Sequence, residues 1–386
     1  MSSNLPSSTL HPHRILVRGV NWLGDAVMTT PALLRLREHF PQAHIALLTH
    51  DKLADLWLHH PAINEVIPFA ANEGVFTIGR KLCASNFDLA LVLPNSPRSA
   101  LEAWAARIPR RVGYRRSWRN WFLTDLVEDR PGAVTMHKRT PAEVRRLVAG
   151  ADTKSVSPHA SRLTPAAHHI HQYLHLAAAL GANPEPLRPS LHVTDSEVTA
   201  TVKKFELANG VAWLALNPGA EYGPAKRWPA ERFITAAQEI QQRTDCRWLV
   251  LGGKGDAELA GSIASKLTGS VNLAGRTSLR ELCAALKLSR ILLTNDTGPM
   301  HVGAALGTST VALFGSTSPE LTGPGLPSGQ QPGIVKGETL CAPCFLRECP
   351  IDFRCMNSID PERVVAAVLA ALQLTPTDRN STIPPR

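Results

Sequence analysis

Asp25 lies in the stretch GVNWLGDAVMTTPAL, Gly19 to Leu33, directly after the apolar run RILVR and at the head of a helix-like segment. A carboxylate in that position can cap a helix, accepting from the free N–H groups of the first turn. It can also take a proton from a bound alcohol. Asn21 and Gly24 flank it and are read with it as substrate contacts. A second loop, in VAWLALNPGAEYGPAKRWPAERF, follows a strand-like run and leads into a helix near Pro229. Its Pro218, Gly219, Gly223 and Pro224 allow a tight turn that exposes backbone N–H groups. Glu221 lies within the loop and is read as a substrate contact, while the Gly-rich backbone and Lys226 near the helix start suit a diphosphate. The G-x-x-x-x-G-K-[ST] spacing is absent, so this is not a Walker loop. The same layout recurs in SRILLTNDTGPMHVGAALG, where Asp296, Thr297 and Gly298 follow a strand and His301 comes about one turn into a helix. Asp296 and Thr297 are good cap residues. They would equally suit the phosphates and sugar hydroxyls of a nucleotide-sugar.

The elements that must carry these loops are legible as a pattern. Strand-length apolar runs alternate with helix-period segments, which argues an α/β fold with parallel sheets. RILVRGV, HIALLTH, EVIPF and FDLALVLP make one set; VAWLALN, RWLVLGG, SVNLAG, SRILLTND and STVALFG make a second. NPEPLRP, Asn183 to Pro189, reads as the link between them. The expected division is a tail at 1–13, one domain at 14–187, a second at 188–374 and a tail at 375–386. Ligands of such sheets bind beyond the carboxyl ends of the strands.

Taken together, GDAVMTTPAL, NPGAEYGPAKRWP, LAGRTSL and TNDTGPMHVGAALGTSTVALFGSTSP resemble the bacterial lipopolysaccharide heptosyltransferases. The resemblance runs from about Arg14 to about Ala371 and sits nearest the members that add a second heptose. It implies the GT-B architecture: two Rossmann-like domains facing across a cleft, acceptor on the N-terminal one and nucleotide-sugar donor on the C-terminal one. It further implies inverting transfer of L-glycero-D-manno-heptose from ADP-heptose to heptosyl-Kdo2-lipid A. Asp25 then corresponds to the general base and Lys226 to the lysine on the donor phosphate. Asp296, Thr297, Gly298 and His301 correspond to the donor-binding motif. The ribose-holding acid is sought in LGGKGDAEL, where Asp256 and Glu258 are candidates. No cofactor is expected for catalysis, since no D-x-D metal signal occurs. The same residues could serve a heptosyltransferase with a different inner-core acceptor, or a nucleotide- or nucleic-acid-binding module without transferase activity.

Four of the seven cysteines, Cys341, Cys344, Cys349 and Cys355, have the spacing C-x2-C-x4-C-x5-C, which could hold a structural zinc or pack as free thiols. The chain has 386 residues and a net charge of +9, which favours anionic partners. Arg107, Arg110, Arg111, Arg115, Arg116 and Arg119 concentrate that charge around Trp118 and Trp121. No nucleic-acid motif accompanies them, so lipid or phosphorylated sugar is the expected partner and nucleic acid is not. With no apolar run of membrane-spanning length and no signal-peptide centre at the N-terminus, the expected location is cytoplasmic, peripheral at the inner face of the inner membrane.

Overall fold

The computed structural model describes residues 12–134, 136–150, 167–325 and 333–373. Most of the two expected tails therefore lies outside the described residues. The first six strands are β1 Arg14–Arg18, β2 His44–His50, β3 Glu65–Phe69, β4 Leu89–Val92, β5 Arg110–Tyr114 and β6 Asp125–Val127. They form one sheet in the order β3-β2-β1-β4-β5-β6. The next six are β7 Trp213–Asn217, β8 Arg247–Val250, β9 Val271–Asn272, β10 Ile291–Asn295, β11 Ser309–Phe314 and β12 Ile334–Lys336. These make a second sheet, ordered β12-β11-β10-β7-β8-β9. Every pairing is parallel. The α/β class with two Rossmann-like sheets is what the alternating pattern predicts.

Central strands of such sheets are covered on both faces, so they read as continuous apolar runs rather than alternating ones. WLALN of β7 and ILLTN of β10 are buried at all five positions. Around the first sheet, Leu16, Leu48 and Val92 pack with Ile78 and Leu82 from the helix Val75–Cys83 and with Ala100 and Ala103. Around the second, Leu214, Val250, Leu293 and Leu313 pack with Phe233, Trp248, Val364 and Val368.

The chain divides into two compact units: Met1–Ala133 with His169–His192, and Val134–His168 with Val193–Arg386. The sequence places its link at 187/188, and among the described residues the chain returns to the first unit at His169–His192. The helix Ile170–Ala178 explains the return, because Ile170, Leu174 and Ala177 pack on Met28 and Ala32 of the helix Leu23–His39. In both sheets the chain winds outward from the first strand, then restarts on that strand's other side. Reversals of strand order lie between β1 and β4 and between β7 and β10. At such switch points the loops diverge and leave room for a ligand.

Candidate functional site

In the first unit, β1 ends at Arg18 and the helix Leu23–His39 begins four residues beyond Gly19. The helix is capped by position at Trp22, and no side chain makes a cap hydrogen bond. This corrects the capping reading of Asp25, which lies inside the first turn, where the helix dipole favours a negative charge. Its Oδ1 instead accepts from the Tyr173 hydroxyl at 3.4 Å. Tyr173 is held well above the usual phenol range, first by burial and then by the Asp25 charge, so it stays a donor. Pro31 interrupts the helix two turns on and removes an N–H that would reach Val27. Thr30 Oγ1 donates to that Val27 carbonyl at 2.8 Å and closes the gap.

The loop before Asp25 is anchored from beneath. Arg18 is buried and donates from Nε to Glu102 Oε2 at 2.7 Å. Its Nη1 reaches the Gly19 carbonyl and, at 3.1 Å, Asn21 Oδ1. Its guanidinium also lies 4.6 Å from the Phe69 ring centroid. Burial lowers the Arg18 pKa and the Glu102 charge opposes that shift. Space at Gly19 is tight, since a Cβ there would meet Leu47 Cδ1 at 3.2 Å and the Leu48 carbonyl at 3.3 Å.

In the second unit, three neighbouring strands, β7, β10 and β11, deliver their following loops to one place. Lys226 Nζ donates to Asp296 Oδ2 at 2.7 Å, and Thr317 Oγ1 donates to the same oxygen at 2.6 Å. Asp296 is buried and Lys226 largely so. Lys226 also stands 5.0 Å from the Tyr222 ring centroid. Asn295, just before Asp296, accepts from Trp228 N at 3.1 Å and donates to the Pro218 carbonyl at 2.7 Å. The lysine loop and the NDTG loop are thereby tied together before any ligand arrives.

The capping reading of Asp296 gives way to this ion pair. Thr297 is the N-cap of the helix Gly298–Ala305 by position, yet its side chain makes no cap bond. His301 is buried on that helix. Glu221 is exposed in the lysine loop, while Gly219 is buried there. A Cβ on Gly219 would fall 2.4 Å from the Asp256 carboxylate. Asp256 accepts from Arg227 Nη2 at 3.3 Å and from Gly253 N at 3.1 Å. It thus lies against the loop, whereas Glu258 is exposed on the first turn of the next helix.

Asp25, Asn21 and Gly24 belong to the first unit; Lys226, Gly219, Glu221, Asp296, Thr297, Gly298 and His301 belong to the second. Sequence reasoning missed Tyr173, Arg18, Glu102 and Thr317. Thr317 follows Gly315 and Ser316 in the stretch STVALFGSTSP, directly after a strand-like run. Tyr173 lies 148 residues from Asp25, and no local signal links them.

Cys341, Cys344, Cys349 and Cys355 line one small cavity with Val144, Ala225 and Ser316. All four are unbridged thiols. Burial, with the other three cysteines adding, pushes the Cys355 thiol up to about 12. Among the described residues, no group of three or more His, Cys, Asp or Glu side chains is arranged to hold a metal ion. Buried thiols of this kind pack as small apolar groups, and Cys341 and Cys344 do so with Val144 and Leu346.

Comparison with known proteins agrees with this architecture. Glycosyltransferase family 9 (heptosyltransferase) matches residues 75–160 and 145–353. Lipopolysaccharide heptosyltransferase 2 of Escherichia coli K12 is 32% identical over 323 residues, covering 81% of this chain and 85% of that protein. Lipooligosaccharide heptosyltransferase 2 of Haemophilus influenzae is 28% identical over 340 residues, covering 84% and 90%. The solved structure of E. coli ADP-heptose LPS heptosyltransferase II superposes with a TM-score of 0.72 at 27% identity, covering 94% and 99% of the two chains. The fold is therefore the GT-B fold of those enzymes, and the chain belongs to glycosyltransferase family 9, the heptosyltransferases.

Proposed function

We propose that this enzyme transfers L-glycero-D-manno-heptose from ADP-heptose to the heptosyl-Kdo2-lipid A inner core of lipopolysaccharide. The observation that carries the reading is the convergence of Lys226, Asp296 and Thr317 at the ends of β7, β10 and β11, in a chain of this family. A diphosphate leaving group needs positive charge and N–H donors in a partly dry site. Lys226, the exposed turn of the NPGAEYGP loop and the N-terminal end of Gly298–Ala305 supply them. On this reading Asp296 parks the lysine until the donor arrives, and Gly219, Glu221, Thr297, Gly298 and His301 line the nucleotide-sugar. Asp256 is the better placed ribose acceptor of the two candidates, since it already faces the glycine loop.

The acceptor is bound by the first unit. Its hydroxyl oxygen attacks the anomeric carbon, the bond from that carbon to the diphosphate oxygen breaks, and ADP departs. The hydroxyl proton passes to Asp25, whose orientation the Tyr173 hydroxyl fixes. One displacement of this kind inverts the anomeric centre. Lys226 and the loop donors carry the developing charge, so the reaction requires no cofactor. The enzyme works at the inner face of the inner membrane, where its lipid-linked acceptor is found. Among the described residues no helix is long and apolar enough to cross a membrane.

The deciding measurement is ADP release from ADP-heptose with two acceptors. Turnover is expected on monoheptosylated Kdo2-lipid A. Turnover confined to the heptose-free acceptor would assign the enzyme to the preceding transfer.

A further inference from the structure

We propose that the loop following β5 docks the enzyme on an anionic bilayer, with Trp118 and Trp121 entering the headgroup region. The proposal rests on the reading that the acceptor is carried on a lipid. Trp118 is 84% exposed and Trp121 88% exposed; Trp104, in ring contact with Phe122, is 46% exposed. Indole rings left this open are well suited to the membrane interface, where an apolar body and a polar N–H are both accommodated.

The rings stand on a loop that is held in place. Arg119 is fully buried and donates from Nη1 to the Pro94 carbonyl at 2.7 Å and to Asn95 Oδ1 at 3.3 Å. Arg116 N donates to Asn120 Oδ1 at 2.9 Å, and Phe122 N to the Arg119 carbonyl at 3.0 Å. Phe122 in turn packs edge-on against Trp104. Trp118 itself has a φ of 64°, a left-handed conformation unusual for a bulky residue. Pinning of this kind leaves the loop backbone that carries the two exposed rings little conformational freedom to lose on docking.

Charge selects the occupant. Residues 107–122 hold six arginines and no acidic residue; Arg119 is buried and Arg110 pairs with Asp125, which leaves Arg107, Arg111, Arg115 and Arg116. Arg115 pairs with Glu128 and Arg116 with Asp129, but these are exposed pairs. Such pairs are worth little, so both arginines can turn to lipid phosphate. The position also fits a lipid-borne substrate. In this parallel sheet the loops after β1 and β5 leave from the same edge, and only β4 lies between the two strands. Strands are spaced about 4.8 Å apart, which puts the two loops' origins on the order of 10 Å from each other. A bilayer met by Trp118 would therefore lie at the same edge of the sheet as the loop that leads to Asp25.

The test is sedimentation of the full chain with vesicles of phosphatidylcholine alone and of phosphatidylcholine mixed equally with phosphatidylglycerol. The wild type should bind the mixed vesicles, more weakly as salt rises, and should leave the neutral ones. The double variant Trp118→Ser, Trp121→Ser should lose at least about tenfold in vesicle affinity, while turning over a detergent-dispersed acceptor at the wild-type rate. Equal binding by wild type and variant would overturn the proposal. So would a variant that changes only self-association, read by light scattering, because a second copy would then be the occupant. Turnover on the dispersed acceptor reports the transferase reading separately from vesicle binding.

Discussion

Asp25 and Lys226 illustrate how little a residue's type says until its neighbours are known. Both could be solvated surface charges. In the fold each is engaged by a group distant in sequence: Asp25 by Tyr173, and Lys226 by Asp296 and, through it, Thr317. These partners make separable predictions. Asp25→Asn keeps the size and most of the polarity but cannot take a proton. It should lower kcat by roughly 100-fold to 10,000-fold, with ADP-heptose affinity preserved in a binding titration. A wild-type rate in that variant would remove Asp25 from the mechanism. Tyr173→Phe keeps the ring packed on Met28 and Ala32 and deletes only the hydroxyl. Loss of one hydrogen bond worth about 1 kcal/mol predicts a fall of about fivefold in kcat, with donor KM unchanged. The lysine behaves oppositely. Lys226→Ala strips charge from the donor site and strands a buried carboxylate, so donor affinity should suffer most. Isothermal titration with ADP reads that loss directly, and unchanged affinity would take Lys226 out of the donor site.

At the level of elements, a loop is functional here because adjacent strands aim it. Lys226, Asp296 and Thr317 are about 90 residues apart at the extremes. They meet because β7, β10 and β11 are neighbours and all run the same way. Gly219 tests how tightly that assembly is built. Gly219→Ala would press a methyl group into the Asp256 carboxylate, so that side chain must shift against its bonds to Arg227 and Gly253. Overpacking relieved by moving one side chain falls at the low end of the usual range, about 1 kcal/mol. The loss should be recovered in the double variant Gly219→Ala, Asp256→Ala, which a denaturant-melting cycle would reveal as strong non-additivity. Additive losses would mean the two residues do not share that space. Strands and their loops are readable from the sequence because burial on both faces forces continuous apolar runs, and tight turns force Gly and Pro. The partners are not. Tyr173 lies in HHIHQYLH, where the histidines draw the eye, and Arg18 ends an apolar strand like any flanking charge. Only the packing of Ile170–Ala178 on Leu23–His39 and the burial of Glu102 give them their positions. The cysteine spacing has a similar limit: it announces a compact cluster and leaves open whether sulfur or a metal fills it.

Over the whole molecule, the two units carry different acid-sensitive groups, and these predict where stability is lost as pH falls. In the first unit His60 is buried beside Trp57. Burial lowers its pKa from 6.5 to about 4, with His192 nearby adding to the effect. The unfolded chain therefore binds a proton below about pH 6.5, while the folded chain refuses it until about pH 4. Stability is full above the upper value and declines across that window, by about 3 kcal/mol for a shift of this size. In the second unit Glu197 accepts two bonds from Arg280, and its pKa falls to about 2, chiefly because of that guanidinium. Its contribution is present above about pH 4.5 and is lost only as pH drops toward 2. The first unit should thus weaken at milder acidity than this pair can explain. His60→Asn retains an acceptor for the Ala62 N–H, which His60 Nδ1 now takes at 3.3 Å, and removes the titrating ring. Urea midpoints measured from pH 7 to pH 4 should fall less steeply for that variant than for the wild type, whatever its stability at pH 7. Parallel slopes would show that His60 is not the group responsible. The loss below pH 4.5, carried by the Glu197–Arg280 pair, should survive the substitution unchanged.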